Sequence, residues 1–188
     1  MTMEQYDKNQ LPSKLLWVDL EMTGLDPVKD VILEISAIIT DFNFEKLADY
    51  EAVIHQSEKA LARMTDWPAQ QHKISGLTEK VRQHGRPEAE VQHEVADLIR
   101  SNFGSEPAVL AGNSIHFDRM FIRQWWPEVE SLLHYRMLDV SSFKVLMQGK
   151  YNLSFAKKEV HRAKADIEAS IDELKYYLDW LHHGSSNG

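Results

Sequence analysis

An apolar run, Leu15-Leu16-Trp17-Val18, leads directly into Asp19-Leu20-Glu21. The run reads as a buried strand, and a strand sends residues i and i+2 to the same face. Asp19 and Glu21 therefore project side by side from an element built for burial. Two carboxylates crowded on a buried surface repel and lose hydration, unless a proton or a cation is shared between them. The bland alternative is a strand end that frays into solvent, where acids are harmless. For an Asp-x-Glu taken alone that alternative is the ordinary case, so the rest of the chain has to decide.

The 188 residues suit one domain with a sizeable core, expected over 15–181, with a flexible start at 1–14 and a flexible tail at 182–188. After a loop from Met22 to Asp30, Val31 to Thr40 is rich in β-branched residues and reads as a second strand. Asp41-Phe42-Asn43 suits a turn into a third strand from Asp49 to His55, which makes an antiparallel meander. The period then changes. Glu58 to Met64 predicts a short helix, Thr65 to Gly76 an irregular stretch, and Val91, Val95, Leu98 and Ile99 a helix after Pro87. Pro107 to Ala111 predicts a fourth strand, followed by a helix that carries Asp118 and closes at Pro127. Tyr135 to Val140 predicts a fifth strand and Ser141 to Met147 a short helix. A polar connection then spans Gln148 to Val160, before a long helix with Ile167, Ile171, Leu174 and Leu178 at helical spacing. The expected class is α/β, a mixed five-stranded sheet flanked by helices, and such folds collect sites where strands end and helices begin.

Composition narrows the chemistry. No cysteine is present, which removes disulfides, thiolate metal sites and thiol nucleophiles, and fits a reducing, cytoplasmic setting. No signal peptide or run of membrane-spanning length is seen. A formal charge of −8 argues against wrapping long duplex nucleic acid, which needs a basic stripe, but not against a short anionic substrate held through bound cations.

Two more acids stand at informative points, Asp118 near a helix start and Asp166 at the opening of the last helix, with His161 shortly before it. Each acid taken singly has a structural reason to be there, since a carboxylate in a first helical turn caps free N–H groups and complements the helix dipole. A lone His161 is likewise more often a surface histidine than a catalyst. In combination, Asp19-x-Glu21, Asp118 and His161-x-x-x-x-Asp166 resemble the DEDDh exonucleases, a ribonuclease H-like family. Further stretches are similar to the oligoribonuclease branch: Trp17 to Asp26, His55-Gln56-Ser57, Gly112-Asn113-Ser114-Ile115, His134-Tyr135-Arg136, Leu138-Asp139-Val140-Ser141 and His161-Arg162-Ala163. The likeness runs from about residue 15 to 181.

The resemblance implies a 3′-to-5′ exoribonuclease that degrades short single-stranded oligoribonucleotides, down to dinucleotides, to nucleoside 5′-monophosphates. Its cofactors would be two divalent cations, Mg²⁺ or Mn²⁺, for which hard carboxylate oxygens are suitable donors. Asp19 would bridge both ions, Glu21 and Asp166 would complete one, and Asp118 the other. His161 would act as general base, a task for a group that titrates near neutral pH. Leu25 would wedge beside the bases and Trp67 would stack on one, whereas the residues alone suggest an inward-tucked loop side chain and core packing. His72 and Ser114 would contact the substrate backbone, and Arg136 and Ser141 would grip the far phosphate. Tyr135 would enter from the partner of a homodimer. Where the family often has a second acid beside the last ligand, this chain has Ala165, preceded by Lys164. Two other readings share parts of the pattern: a DNA-trimming exonuclease of the same class, and a non-catalytic nucleic-acid-binding module.

Overall fold

The computed structural model describes residues 13–156 and 163–184. Its sheet is built around β1 (Lys14–Met22). The strands β2 (Ile32–Asp41) and β3 (Lys46–Val53) follow it through short connections, and short connections permit only antiparallel pairing. The β2–β3 turn closes on the Asp41 carboxylate, which accepts the N–H groups of Asn43 at 2.8 Å and Glu45 at 2.9 Å. Helices α1 (Glu58–Leu61), α2 (Asp66–Ile74), α3 (Leu77–His84) and α4 (Glu88–Phe103) come next. That long crossover lets β4 (Ala108–Gly112) return parallel to β1. Helices α5 (His116–Trp125) and α6 (Pro127–Glu130) then lead to β5 (Leu133–Asp139), parallel to β4. Helices α7 (Val140–Tyr151) and α8 (Ala163–Gly184) complete the fold. The five strands lie in the order β3-β2-β1-β4-β5, a mixed sheet with helices on its faces, as the sequence pattern predicts.

The helices differ from expectation in detail. Thr65 to Gly76 is not irregular, because α2 occupies most of it. Pro68 lies in the first turn, where no intrahelical N–H is required, and Gly76 ends the segment at φ 76°, a conformation that suits glycine. Helix α7 runs on through Gly149 to Tyr151 before Asn152 stops it at φ 53°, so the first residues expected in the polar connection belong to the helix. Helix α8 itself continues to Gly184.

Alternation along β1 feeds two cores. Leu16, Val18 and Leu20 face Val91, Val95 and Ile99 of α4 and Phe121 and Ile122 of α5. Leu15 and Trp17 face Val140 of α7 and Ile167, Ile171 and Leu174 of α8. Each such side chain contributes about 1.5–3 kcal/mol when fully buried, so the docking of α8 is set by this apolar stripe. Trp17 is wholly buried and its indole N–H donates to Thr40 Oγ1 at 3.0 Å. By the same alternation, Asp19 and Glu21 belong to the face that α8 covers.

At the end of β4 the backbone passes close to β1. A Cβ at Gly112 would stand 2.9 Å from the Val18 carbonyl oxygen, and a sheet carbonyl cannot move aside cheaply. Gly112→Ala is expected to destabilise the fold by about 1–3 kcal/mol, the usual cost of overpacking. A thermal melt followed by circular dichroism checks this, and an unchanged midpoint would mean that β4 can shift.

Candidate active site

Apolar packing of Ile167, Ile171 and Leu174 lays α8 across β1 with Asp166 in its first turn. Asp166 then meets the two acids at the end of the strand. One carboxylate oxygen from each of Asp19, Glu21 and Asp166 lies within 4.8 Å of the others. Asp118 comes from the opposite side of the sheet, on the first turn of α5. Pairing between β1 and β4 extends only from Leu15 to Trp17, so the Leu20 amide lies beyond the ladder. Asp118 Oδ1 accepts that N–H at 2.9 Å. The bond ties α5 to β1 and leaves Asp118 only 6% exposed.

Burial and mutual repulsion govern the chemistry here. Burial, then Asp19, Glu34 and Asp166, push the Glu21 carboxyl up to about 8. Burial, followed by Asp19, also raises the Asp118 carboxyl well above its ordinary range, against the lowering effect of the Leu20 N–H. Glu34 aggravates the strain, since it stands directly opposite Glu21 across the β1–β2 ladder. Acids that hold protons this tightly are poor neighbours for one another and good ones for a divalent cation. All the donors are hard oxygens, as Mg²⁺ or Mn²⁺ prefers.

His72, expected to contact the substrate backbone, lies beside Glu21. It is 5% exposed, with Nε2 2.9 Å from the Met22 carbonyl oxygen and Nδ1 3.8 Å from Glu21 Oε2. A carbonyl only accepts, so Nε2 carries the proton and donates. Burial lowers the His72 pKa, which favours the neutral ring and turns the Nδ1 lone pair toward Glu21.

Leu25 and Trp67 stand open to solvent, 67% and 66% exposed, rather than tucked inward or packed in the core. The loop bearing Leu25 is pinned by Asp30, whose carboxylate accepts the Thr23 hydroxyl at 3.0 Å and the Asp26 N–H at 2.9 Å. Ser114 and Ser141 come together, their hydroxyl oxygens 3.1 Å apart. Ser114 adopts φ 51°, and its N–H is directed at Asp139 Oδ1 and Ser141 Oγ, each at 3.0 Å. Asn113 accepts the Ser141 hydroxyl at 3.1 Å and donates to Ser170 and Glu173 of α8, at 2.9 and 3.1 Å. Asn113 and Asp139 thus organise this corner, and sequence reasoning gave them no role although both lie within the quoted motifs. Tyr135 is 59% exposed, stacked on His134, with the Arg136 guanidinium 5.1 Å from its ring. His161 lies outside the described residues.

Residues 16–174 match the exonuclease family RNase_T. The chain is 42% identical over 187 residues to an oligoribonuclease of Corynebacterium glutamicum, covering 93% of this chain and 85% of the relative. It is 41% identical over 174 residues to an oligoribonuclease of Pseudomonas aeruginosa, covering 90% of this chain and 97% of the relative. The chain belongs to the oligoribonuclease family. This family membership makes it an exonuclease-type hydrolase. Its fold is shared with exonuclease I of Methylocaldum szegediense, at a TM-score of 0.69 and 16% identity over 92% of this chain. A zinc-bound E. coli exonuclease I in complex with single-stranded DNA likewise aligns at a TM-score of 0.69 and 15% identity. The chain spans only 41% and 42% of those two structures, so the likeness is one of fold.

The strain at Glu21 has a measurable sign. An acid whose folded-state pKa lies above its unfolded value of 4.5 costs stability as pH rises from there to about 8. In metal-free buffer, Glu21→Gln is therefore expected to melt above the parent at pH 8 and together with it near pH 4. A lower melting point at pH 8 would show that the Glu21 carboxylate is stabilised instead.

Proposed function

We propose that this oligoribonuclease-family chain removes nucleotides from the 3′ end of short single-stranded RNAs, dinucleotides included. Water would displace the 3′ oxygen from phosphorus, releasing a nucleoside 5′-monophosphate and a strand shortened by one residue. The observation that carries this reading is the convergence of Asp19, Glu21 and Asp166 within 4.8 Å, with Asp118 tied to the neighbouring Leu20 amide. Two divalent cations, Mg²⁺ or Mn²⁺, would supply charge neutralisation at the phosphate, a water that ionises near neutral pH, and support for the leaving oxygen. Asp19, Glu21, Asp118 and Asp166 would hold them, with Asp19 shared. His161 would take the proton of the attacking water.

The remaining side chains would set substrate length. Leu25 and Trp67 offer exposed apolar surface to a base, and stacking of this kind tolerates any sequence. Ser114 would contact the substrate backbone, the Ser141 hydroxyl would exchange Asn113 for the far phosphate, and Arg136 would cap that phosphate with its forked donors. His72 would contact the substrate backbone from beside Glu21, its ring oriented by the Nε2–H bond to the Met22 carbonyl. Exposure of Tyr135 on the edge strand β5 suits a homodimer in which it reaches the partner's groove. No helix among the described residues is long and apolar enough to cross a membrane, and the absence of cysteine fits work in the cytoplasm.

Digestion of a labelled diribonucleotide beside a long RNA and a long DNA, with and without Mg²⁺ or Mn²⁺, tests this reading. The dinucleotide is expected to turn over fastest, and only with metal. Preferred attack on the long DNA would instead favour a DNA-trimming enzyme. Asp19→Ala should lower the rate by more than the roughly 100-fold that loss of an outer-shell partner costs. Unchanged hydrolysis in that variant would dispose of the mechanism.

A further inference from the structure

We propose that Lys164 is a positioning residue that clamps the first turn of α8 to the outer strand β3, and so holds Asp166 against Asp19 and Glu21. The proposal rests on the metal-binding reading above. A lysine in the first turn of a helix gains nothing from the helix itself, because the dipole there disfavours positive charge. Its partners lie on the sheet. Lys164 Nζ is 3.3 Å from Asp49 Oδ2 and 2.9 Å from Glu51 Oε1, and Lys46 Nζ joins the same network at 3.2 Å from Asp49.

The register connects this clamp to the acids. Glu51 on β3 pairs with Ser36 on β2, and Ser36 pairs with Asp19 on β1. Directly opposed residues share a face, so Glu51, Ser36 and Asp19 form one row beneath α8. Lys164 holds the outer end of that row and Asp166, two residues along the helix, reaches the inner end. The apolar anchors Ile167, Ile171 and Leu174 all lie C-terminal to Asp166. On its N-terminal side Ala165 offers no ion pair, and among the described residues there Lys164 makes one.

Repulsion makes an anchor necessary there. Glu21, Glu34, Glu51 and Glu168 line a cleft of about 260 Å³ beside the acids, with Lys80 and Lys164 as its cations. Crowded carboxylates push the first turn of α8 away from the sheet, and the Lys164 pairs pull it back. Exposed ion pairs add little to global stability. The consequence is therefore expected in metal affinity and not in the melting temperature.

Mn²⁺ binding measured by calorimetry without substrate tests the clamp on the intact chain. Lys164→Ala is expected to weaken binding roughly tenfold, the lower end of the cost of losing an outer-shell partner, with an unchanged melting point. The double variant Asp49→Asn, Glu51→Gln should lose about as much. Combining it with Lys164→Ala should add nothing, since the three residues act as one unit. Lys164→Arg should retain most of the affinity. Unchanged Mn²⁺ binding by Lys164→Ala would overturn the proposal. So would tighter binding, which would mark Lys164 as a competing charge and not an anchor. A parent chain that binds no Mn²⁺ at all would overturn the metal reading, and the clamp with it.

Discussion

Repulsion among carboxylates at the end of β1 is the constraint on which the rest of the structure turns. Asp19, Glu21 and Asp166 are held within 4.8 Å of one another, and Asp118 is buried beside them. Like charges at such separations, partly withdrawn from water, oppose the fold that brings them together. Protons relieve the strain in the isolated chain, as the elevated Glu21 and Asp118 pKa values indicate. A divalent cation relieves it better. The same unfavourable interaction that threatens the fold is what gives the site its appetite for metal.

The architecture contains this strain from both sides of the sheet. Leu15 and Trp17 draw α8 onto one face, while Leu16, Val18 and Leu20 draw α4 and α5 onto the other. Separation of β4 from β1 beyond Trp17 opens the Leu20 amide, and Asp118 fills the gap. At the neighbouring corner, Asn113 and Asp139 lock the ends of β4 and β5 to α7 and α8, and in doing so align the Ser114 and Ser141 hydroxyls. His72 closes the site behind Glu21. Rigid elements thus carry the acids, whereas the exposed side chains Leu25 and Trp67 ride on a pinned loop and a short helix.

Strands were legible as apolar or β-branched runs between turn residues, and long helices by the period of their apolar residues. The meander, the fourth and fifth strands and α8 follow from those runs and from the spacing of Ile167, Ile171 and Leu174. Helix α2 was not legible, since His72 is its one buried residue and Trp67-Pro68 looks like a break. The end of α7 was hidden for a related reason, because Gly149 and the polar residues around it mimic a loop. Among the site residues, the acids were visible as misfits in apolar or periodic surroundings. The burial of His72 against Met22 and Glu21 was not, since a polar side chain on a polar helix carries no mark of the partner it will meet.

By itself the sequence determined which residue types are available and which face each takes. Asp19 and Glu21 must share a face because a strand repeats every two residues, and Ile167, Ile171 and Leu174 must share one because a helix turns every 3.6. Tertiary structure alone decided the distances. The approach of Asp166, the capture of the Leu20 amide by Asp118, and the reach of Lys164 to Asp49 and Glu51 all join residues far apart in the chain. Such contacts depend on how helices pack across a sheet, and local periodicity holds no record of that.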